Sequence, residues 1–313
     1  MKDALSARQV AAFSAVALSA PAVTVCAGLP WSWTLALAAL AVCVEVGLWL
    51  LLEERHLPRL ILEAWGRPVG TALLVGTAAV AVLVLWRLVP LSAKALPDVA
   101  ARPVVPLVLL CVAAISVWHG RAAVIRAGCV LFFFVAALYG VVFFSALPDV
   151  QVQRLGAWQE TDLLPAAILF LPLWSLYLPR RGSPKFGWAA LFVLFPAAVA
   201  GVCAAVPGSR GSFYEMAKSV EVLSVAQRLE PLVSCLMTVG WFAAISLPVL
   251  AVSELADALG LPPRWAAVGT FLLAAPSCVL DVGISDEILV VLCAVFCVVL
   301  PLLTPRIVAR KKE

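Results

Sequence analysis

The sequence predicts an all-α integral membrane protein in which a single membrane domain, residues 1–313, holds ten transmembrane helices. Hydrophobic residues make up 64% of the chain and charged residues 13%, against about 25% charged in an ordinary soluble domain. The charges are also unevenly placed: between Arg8 and Glu45 only the thiols of Cys26 and Cys43 can ionise. A spanning helix needs about 20 mostly apolar residues, and runs of that kind recur to the C-terminus, leaving little for a soluble domain.

Taken from one charged residue to the next, the expected spans cover about residues 10–30, 32–52, 68–90, 103–118, 123–147, 163–179, 186–206, 231–256, 265–280 and 288–306. The fourth, sixth and ninth are short and require tilt or a locally thin bilayer. Lys2 and Arg8 ahead of an apolar stretch mimic a secretory signal, but the apolar run continues well beyond Pro21, so it reads as a retained first helix. Lys and Arg favour the cytoplasmic side. Ten spans with both termini in the cytoplasm place 15 of the 22 Lys and Arg inside and 7 outside.

Two connections have helical patterning of their own. From Ser212 to Glu230, within an outer loop at about 208–230, Phe213, Met216, Val220 and Leu223 alternate with Glu215, Lys218 and Glu221, the pattern of an amphipathic helix on a membrane surface. On the inner side, Leu57 to Trp65 is a shorter version.

Several functions are excluded. The net charge of +4 comes from dispersed basic residues, which argues against nucleic-acid binding. All nine cysteines lie in apolar runs and read as small buried thiols. Cys293 and Cys297 share a helix face, but the two histidines, His56 and His119, sit in different loops, so no metal site is expected. There is no Gly-rich phosphate loop, no nucleophile elbow and no carboxylate set beside a histidine. The chain is not expected to be an enzyme or to hold a cofactor.

Ten spans divide into repeats of five, about 1–147 and 163–313, and because five is odd the second is inverted relative to the first. Transporters of this LeuT-like, five-plus-five design bind ligand at mid-membrane, where the first helix of each half is broken. Pro21 in the first span and Pro172 in the sixth occupy corresponding positions, and an internal proline removes a donor and clashes with the preceding turn, at about 3 kcal/mol or more. Breaks are therefore expected in helices 1 and 6. The candidate pocket wall is Ser19, Ala20, Pro21, Ala22 and Thr24 with Pro172, Trp174 and Ser175, completed by Thr77 and Thr238 from the third and eighth spans. Ionisable residues inside the membrane are functional candidates by default. Glu45, with Arg126 as partner, is a candidate for proton coupling, and Glu254 with Asp257, three apart on one helix face, for a cytoplasmic gate or proton relay.

The segment Met216 to Leu261 resembles the endospore germination permeases, the integral B subunits of spore nutrient-germinant receptors. Arg228 and Glu230 match the family's Arg-x-Glu signature, and Leu259, Gly260 and Leu261 its Leu-Gly-Leu stretch. The opening Leu5 to Gln9 and the connection Trp118 to Gly128 are similar to the family's first-span start and to its connection between spans four and five. The resemblance implies the fold of the amino acid, polyamine and organocation permease superfamily, a bacterial cell membrane or spore inner membrane, partnership with an A subunit and a lipoprotein C subunit, and sensing of a small-molecule germinant, typically an amino acid. The chain departs from the family in having Gly28 as the only glycine of its first span and neither glycine nor acid in its sixth. Two other functions therefore stay open: a proton-coupled amino-acid or polyamine transporter, and a structural receptor subunit whose pocket has decayed.

Overall fold

The computed structural model describes residues 5–26, 29–52, 55–95, 103–151, 153–154, 163–182, 230–280 and 283–311. Leu5–Ser6 is a two-residue strand, β1, and leads directly into α1, Ala7–Val25. Ser6 closes a capping box: Gln9 N–H donates to Ser6 Oγ at 3.3 Å and Ser6 N–H to Gln9 Oε1 at 3.0 Å. Two orphan donors of the first turn are thereby satisfied. This gives a physical reason for the Ser-x-x-Gln pattern of the opening motif.

The helices that follow are α2, Trp31–Leu52; α3, Leu57–Trp65; α4, Arg67–Ala95; α5, Val104–His119; α6, Arg121–Ala146; α7, Leu163–Phe170; α8, Glu230–Ala258; α9, Pro263–Ala274; α10, Asp286–Cys293; and α11, Leu300–Arg310. A 3₁₀ turn at Trp174–Tyr177 follows α7, and strand β2, Arg180–Arg181, pairs in parallel with β1. A π-helical turn, Ala294–Val299, joins α10 to α11. Among the described residues six helices are long and apolar enough to cross a membrane, and Val104–His119 and Leu163–Tyr177 are shorter apolar segments. The protein is an all-α, membrane-embedded chain. Many of its large apolar side chains are exposed, with Phe133, Phe134 and Phe144 each about two-thirds exposed on α6 (68%, 70% and 69%), as expected of a lipid-facing helix.

Six of the ten expected spans coincide with helices long and apolar enough to cross a membrane, the fourth and sixth with the two shorter apolar segments, and the ninth with α9 and the 3₁₀ turn after it. The seventh, 186–206, lies outside the described residues, as do Arg228 and nearly all of the outer amphipathic segment, whose last residue, Glu230, begins α8. The shorter amphipathic helix is α3 with the bounds read from the pattern. It buries Leu57, Leu60, Ile61 and Ala64, and Gly66, at φ 75°, supplies the left-handed residue that turns α3 straight into α4.

Helix α8 is the axis of the bundle, packed along α1, α4, α5 and α9. It approaches α1 closely at Gly240, where a Cβ would lie 2.6 Å from Ala20 Cβ, 3.0 Å from Ser19 Oγ and 3.2 Å from Ala20 N. Small residues that let backbones approach are a principal source of helix association in lipid.

This contact bears on the first predicted break. Helix α1 is continuous through Pro21 to Val25, so the expected interruption of helix 1 is not present. Ser19 Oγ donates to Val16 O at 2.7 Å and Thr24 Oγ1 to Ala20 O at 2.8 Å. Hydroxyls on both sides of the proline thus bond the turn before them, and the tight seat against α8 holds the helix in line.

Gly240→Val is expected to destabilise the fold by about 1–3 kcal/mol through overpacking against Ala20. Thermal or denaturant unfolding in detergent reads this directly, and Gly269→Ala, where a Cβ meets nothing within 4 Å, is the matched control.

Candidate functional site at the interrupted sixth span

The second proline behaves differently. Helix α7 ends at Phe170, and Leu171–Leu173 form no helix before the 3₁₀ turn. Pro172 cannot donate, and the residue before a proline is pushed out of the helical region. Trp174 N–H returns to Pro172 O at 2.9 Å and Leu176 N–H to Leu173 O at 3.1 Å. Trp174, Ser175, Leu176 and Tyr177 are all buried.

Two side-chain hydrogen bonds tie this segment to its neighbours. Ser175 Oγ donates to Glu45 Oε1 of α2. Tyr177 OH donates to Phe296 O at 2.6 Å, inside the π-helical turn. A π turn leaves a carbonyl out of the regular ladder and is a frequent mark of functional sites.

Glu45 is 7% exposed and Ser175 2%. One helical turn along α2, Trp49 lies on the same face, and the Arg180 guanidinium stacks over its ring at 4.7 Å from the centroid. Arg180 is 8% exposed, and neither of its Nη atoms has a hydrogen-bond acceptor among the described residues. Burial pulls Arg180 down to about 10 while the Glu45 carboxylate works in the opposite direction, so the guanidinium stays charged at neutral pH.

Arg126, expected to partner Glu45, does not do so. It is exposed near the start of α6, a helix packed chiefly on α1, and faces a cavity at the end of the bundle. The basic neighbour of Glu45 is Arg180. In the sequence Arg180 is one of several charges that follow the sixth expected span. Its signal was its position: the first cation after a proline-broken apolar segment.

The other expected pocket residues divide. Helix α1 touches both α7 and the 3₁₀ turn, so Ser19 to Thr24 and Pro172 to Ser175 belong to one neighbourhood, but Ser19, Ala20, Pro21 and Ala22 are buried against α8. Thr77 is buried on α4 beside Tyr177 and donates to Leu73 O at 2.9 Å. Thr238 donates to Ser234 O of its own helix at 2.7 Å. Both hydroxyls are committed to backbone carbonyls.

Glu254 and Asp257 do share a face, and one cation serves both: Arg121 Nη1 lies 2.9 Å from Glu254 Oε1 and 3.9 Å from Asp257 Oδ2. No linear N–H···O forms there, so the attraction is between charges. His56 Nε2 is 3.7 Å from Glu254 Oε2. Burial, reinforced by the nearby Arg59 charge, pushes His56 down to about 4, against the pull of the Tyr177 backbone and Asp257. The ring is therefore neutral at pH 7 and its contact with Glu254 is not an ion pair. Among the described residues no group of three His, Cys, Asp or Glu could hold a metal ion.

Comparison with known proteins finds no matching family model and no matching curated protein. The site is read from its own chemistry.

His56 ionises more easily in the unfolded chain than in the folded one. Stability that depends on the neutral ring is therefore complete above about pH 6.5 and is lost as pH falls towards 4. The parent should lose up to about 3 kcal/mol relative to His56→Gln over that interval, measured as the difference between their unfolding free energies at each pH.

Proposed function

We propose that this chain is the membrane-embedded, ligand-sensing subunit of a spore germinant receptor, built as a ten-span, five-plus-five permease with both termini in the cytoplasm. Its ligand site lies at the interrupted sixth span. The observation that carries this reading is the Ser175–Glu45 hydrogen bond beside buried Arg180. An α-amino acid offers the complement of that arrangement: an ammonium for Glu45 and a carboxylate for the Arg180 guanidinium, a group suited to bidentate carboxylate recognition. The Ser175 hydroxyl uses the acceptor that a ligand ammonium would use. Ligand binding then exchanges an internal hydrogen bond for one to the ligand and shifts the equilibrium between two packings of the 171–177 segment. The family resemblance in residues 216–261 supplies the A and C subunits as the partners that read out this shift.

A second reading is a proton-coupled amino-acid or polyamine transporter. It is favoured by Glu45 itself, an acid buried within a spanning helix at the place where a coupling carboxylate would sit.

For the purified chain in detergent, one or more amino acids of a panel should raise the unfolding midpoint, a stabilisation of about 2.7 kcal/mol at a hundredfold excess over the dissociation constant. Ser175→Trp should abolish the shift. If no amino acid shifts the midpoint either alone or in a co-purified complex, the sensing reading fails.

In proteoliposomes the sensing reading predicts no sustained uptake by the isolated chain. Gradient-driven uptake that Glu45→Gln removes would instead establish the transporter reading.

A further inference from the structure

The connections that follow α2, α5 and α8, together with β1 and β2, meet at one end of the bundle and enclose a cavity of about 940 Å³. This volume is at the upper end of the usual range for small-molecule sites. Its walls are strongly basic. Six arginines line it: Arg59 from α3, Arg121 and Arg126 from α6, Arg180 and Arg181 from β2, and Arg264 from α9. Against them stand two carboxylates, Glu254 and Asp257, and both are held by Arg121. Among the described residues Arg126, Arg180, Arg181 and Arg264 have no ion-pair partner.

Like charges gathered around one concave site repel one another. Arg180 adds a second, independent observation. It is 8% exposed, and both Nη atoms are buried without an acceptor. A buried guanidinium lacking acceptors is a large desolvation cost, which an anion supplying oxygen atoms offsets. Helix α6 also starts at this cavity with no side chain capping its first turn, so unpaired backbone N–H groups and the positive end of the helix dipole add to the same field.

We propose that this cavity is a binding site for a phosphate-bearing anion; it meets the ligand site of the proposed function at Arg180 and is otherwise built by Arg126, Arg181 and Arg264, which that site does not use. Several guanidiniums converging with helix N–H groups match a tetrahedral group with three or four oxygens and more than one negative charge. The volume leaves room for an organic group attached to the phosphate. The same chemistry is offered by a soluble phosphate and by the headgroup of an anionic phospholipid.

The test uses the full chain purified in an uncharged detergent, in phosphate-free buffer with ionic strength held constant by chloride. Unfolding midpoints are followed on titration with inorganic phosphate and, separately, with dihexanoyl phosphatidylglycerol against dihexanoyl phosphatidylcholine. A saturable rise with at least one phosphate probe above its control is expected, and the apparent dissociation constant should weaken at least tenfold in the double variant Arg181→Gln with Arg264→Gln, both exposed side chains outside the proposed amino-acid site. A response to inorganic phosphate identifies a soluble ligand, and a response to phosphatidylglycerol alone identifies a lipid headgroup. No response above chloride and phosphatidylcholine, or a response that survives in the double variant unchanged, overturns the proposal.

Discussion

A backbone that leaves the helical ladder inside an apolar medium must find its hydrogen bonds elsewhere in the protein, and the packing around the sixth span follows from that constraint. Pro21 and Pro172, at corresponding positions, pose this challenge and are answered in opposite ways, while Pro90 and Pro248 sit inside continuous helices. Around Pro21 the hydroxyls of Ser19 and Thr24 bond carbonyls of their own helix, and the Gly240 contact clamps the segment against α8. The helix continues. Around Pro172 the backbone closes short local bonds, Trp174 N–H to Pro172 O and Leu176 N–H to Leu173 O, and side chains of the segment bond other helices: Ser175 to Glu45 and Tyr177 to Phe296.

The last span is irregular in the same place. The π-helical turn Ala294–Val299 includes the Phe296 carbonyl, which accepts from Tyr177, and the break before Tyr177 brings the phenol within reach of it. Each irregularity satisfies the other. Polar side chains that would be costly in an all-apolar bundle are thereby concentrated along the sixth span, where α2 contributes Glu45 and Trp49 from a single face.

Arg180 joins this cluster to the basic end of the bundle. The parallel pairing of Leu5 with Arg180 and Ser6 with Arg181 ties the start of the first span to the end of the sixth. That pairing holds the guanidinium over Trp49, at the boundary between the two polar regions. His56, touching the Tyr177 backbone on one side and Glu254 on the other, is a second link, and it too sits in a connection rather than in a span.

The class of protein, the positions of most apolar helices and the bounds of α3 were legible in the sequence, because they depend on local composition and period: a run of about 20 apolar residues has few stable alternatives in a bilayer. Glu45 and Ser175 were legible as candidates for the same reason, one as an ionisable group within an apolar run and the other as a polar residue beside a proline. The sequence alone also determined that Pro21 and Pro172 would each have to be accommodated. Which of them breaks its helix was decided only in the tertiary structure, by the close approach that Gly240 permits on one side and the acceptors available from α2 and the π turn on the other. The exchange of Arg126 for Arg180 beside Glu45, and the gathering of six arginines around one cavity, were likewise decided there: residues far apart in the chain become neighbours through packing, and their electrostatics has no counterpart in a linear pattern.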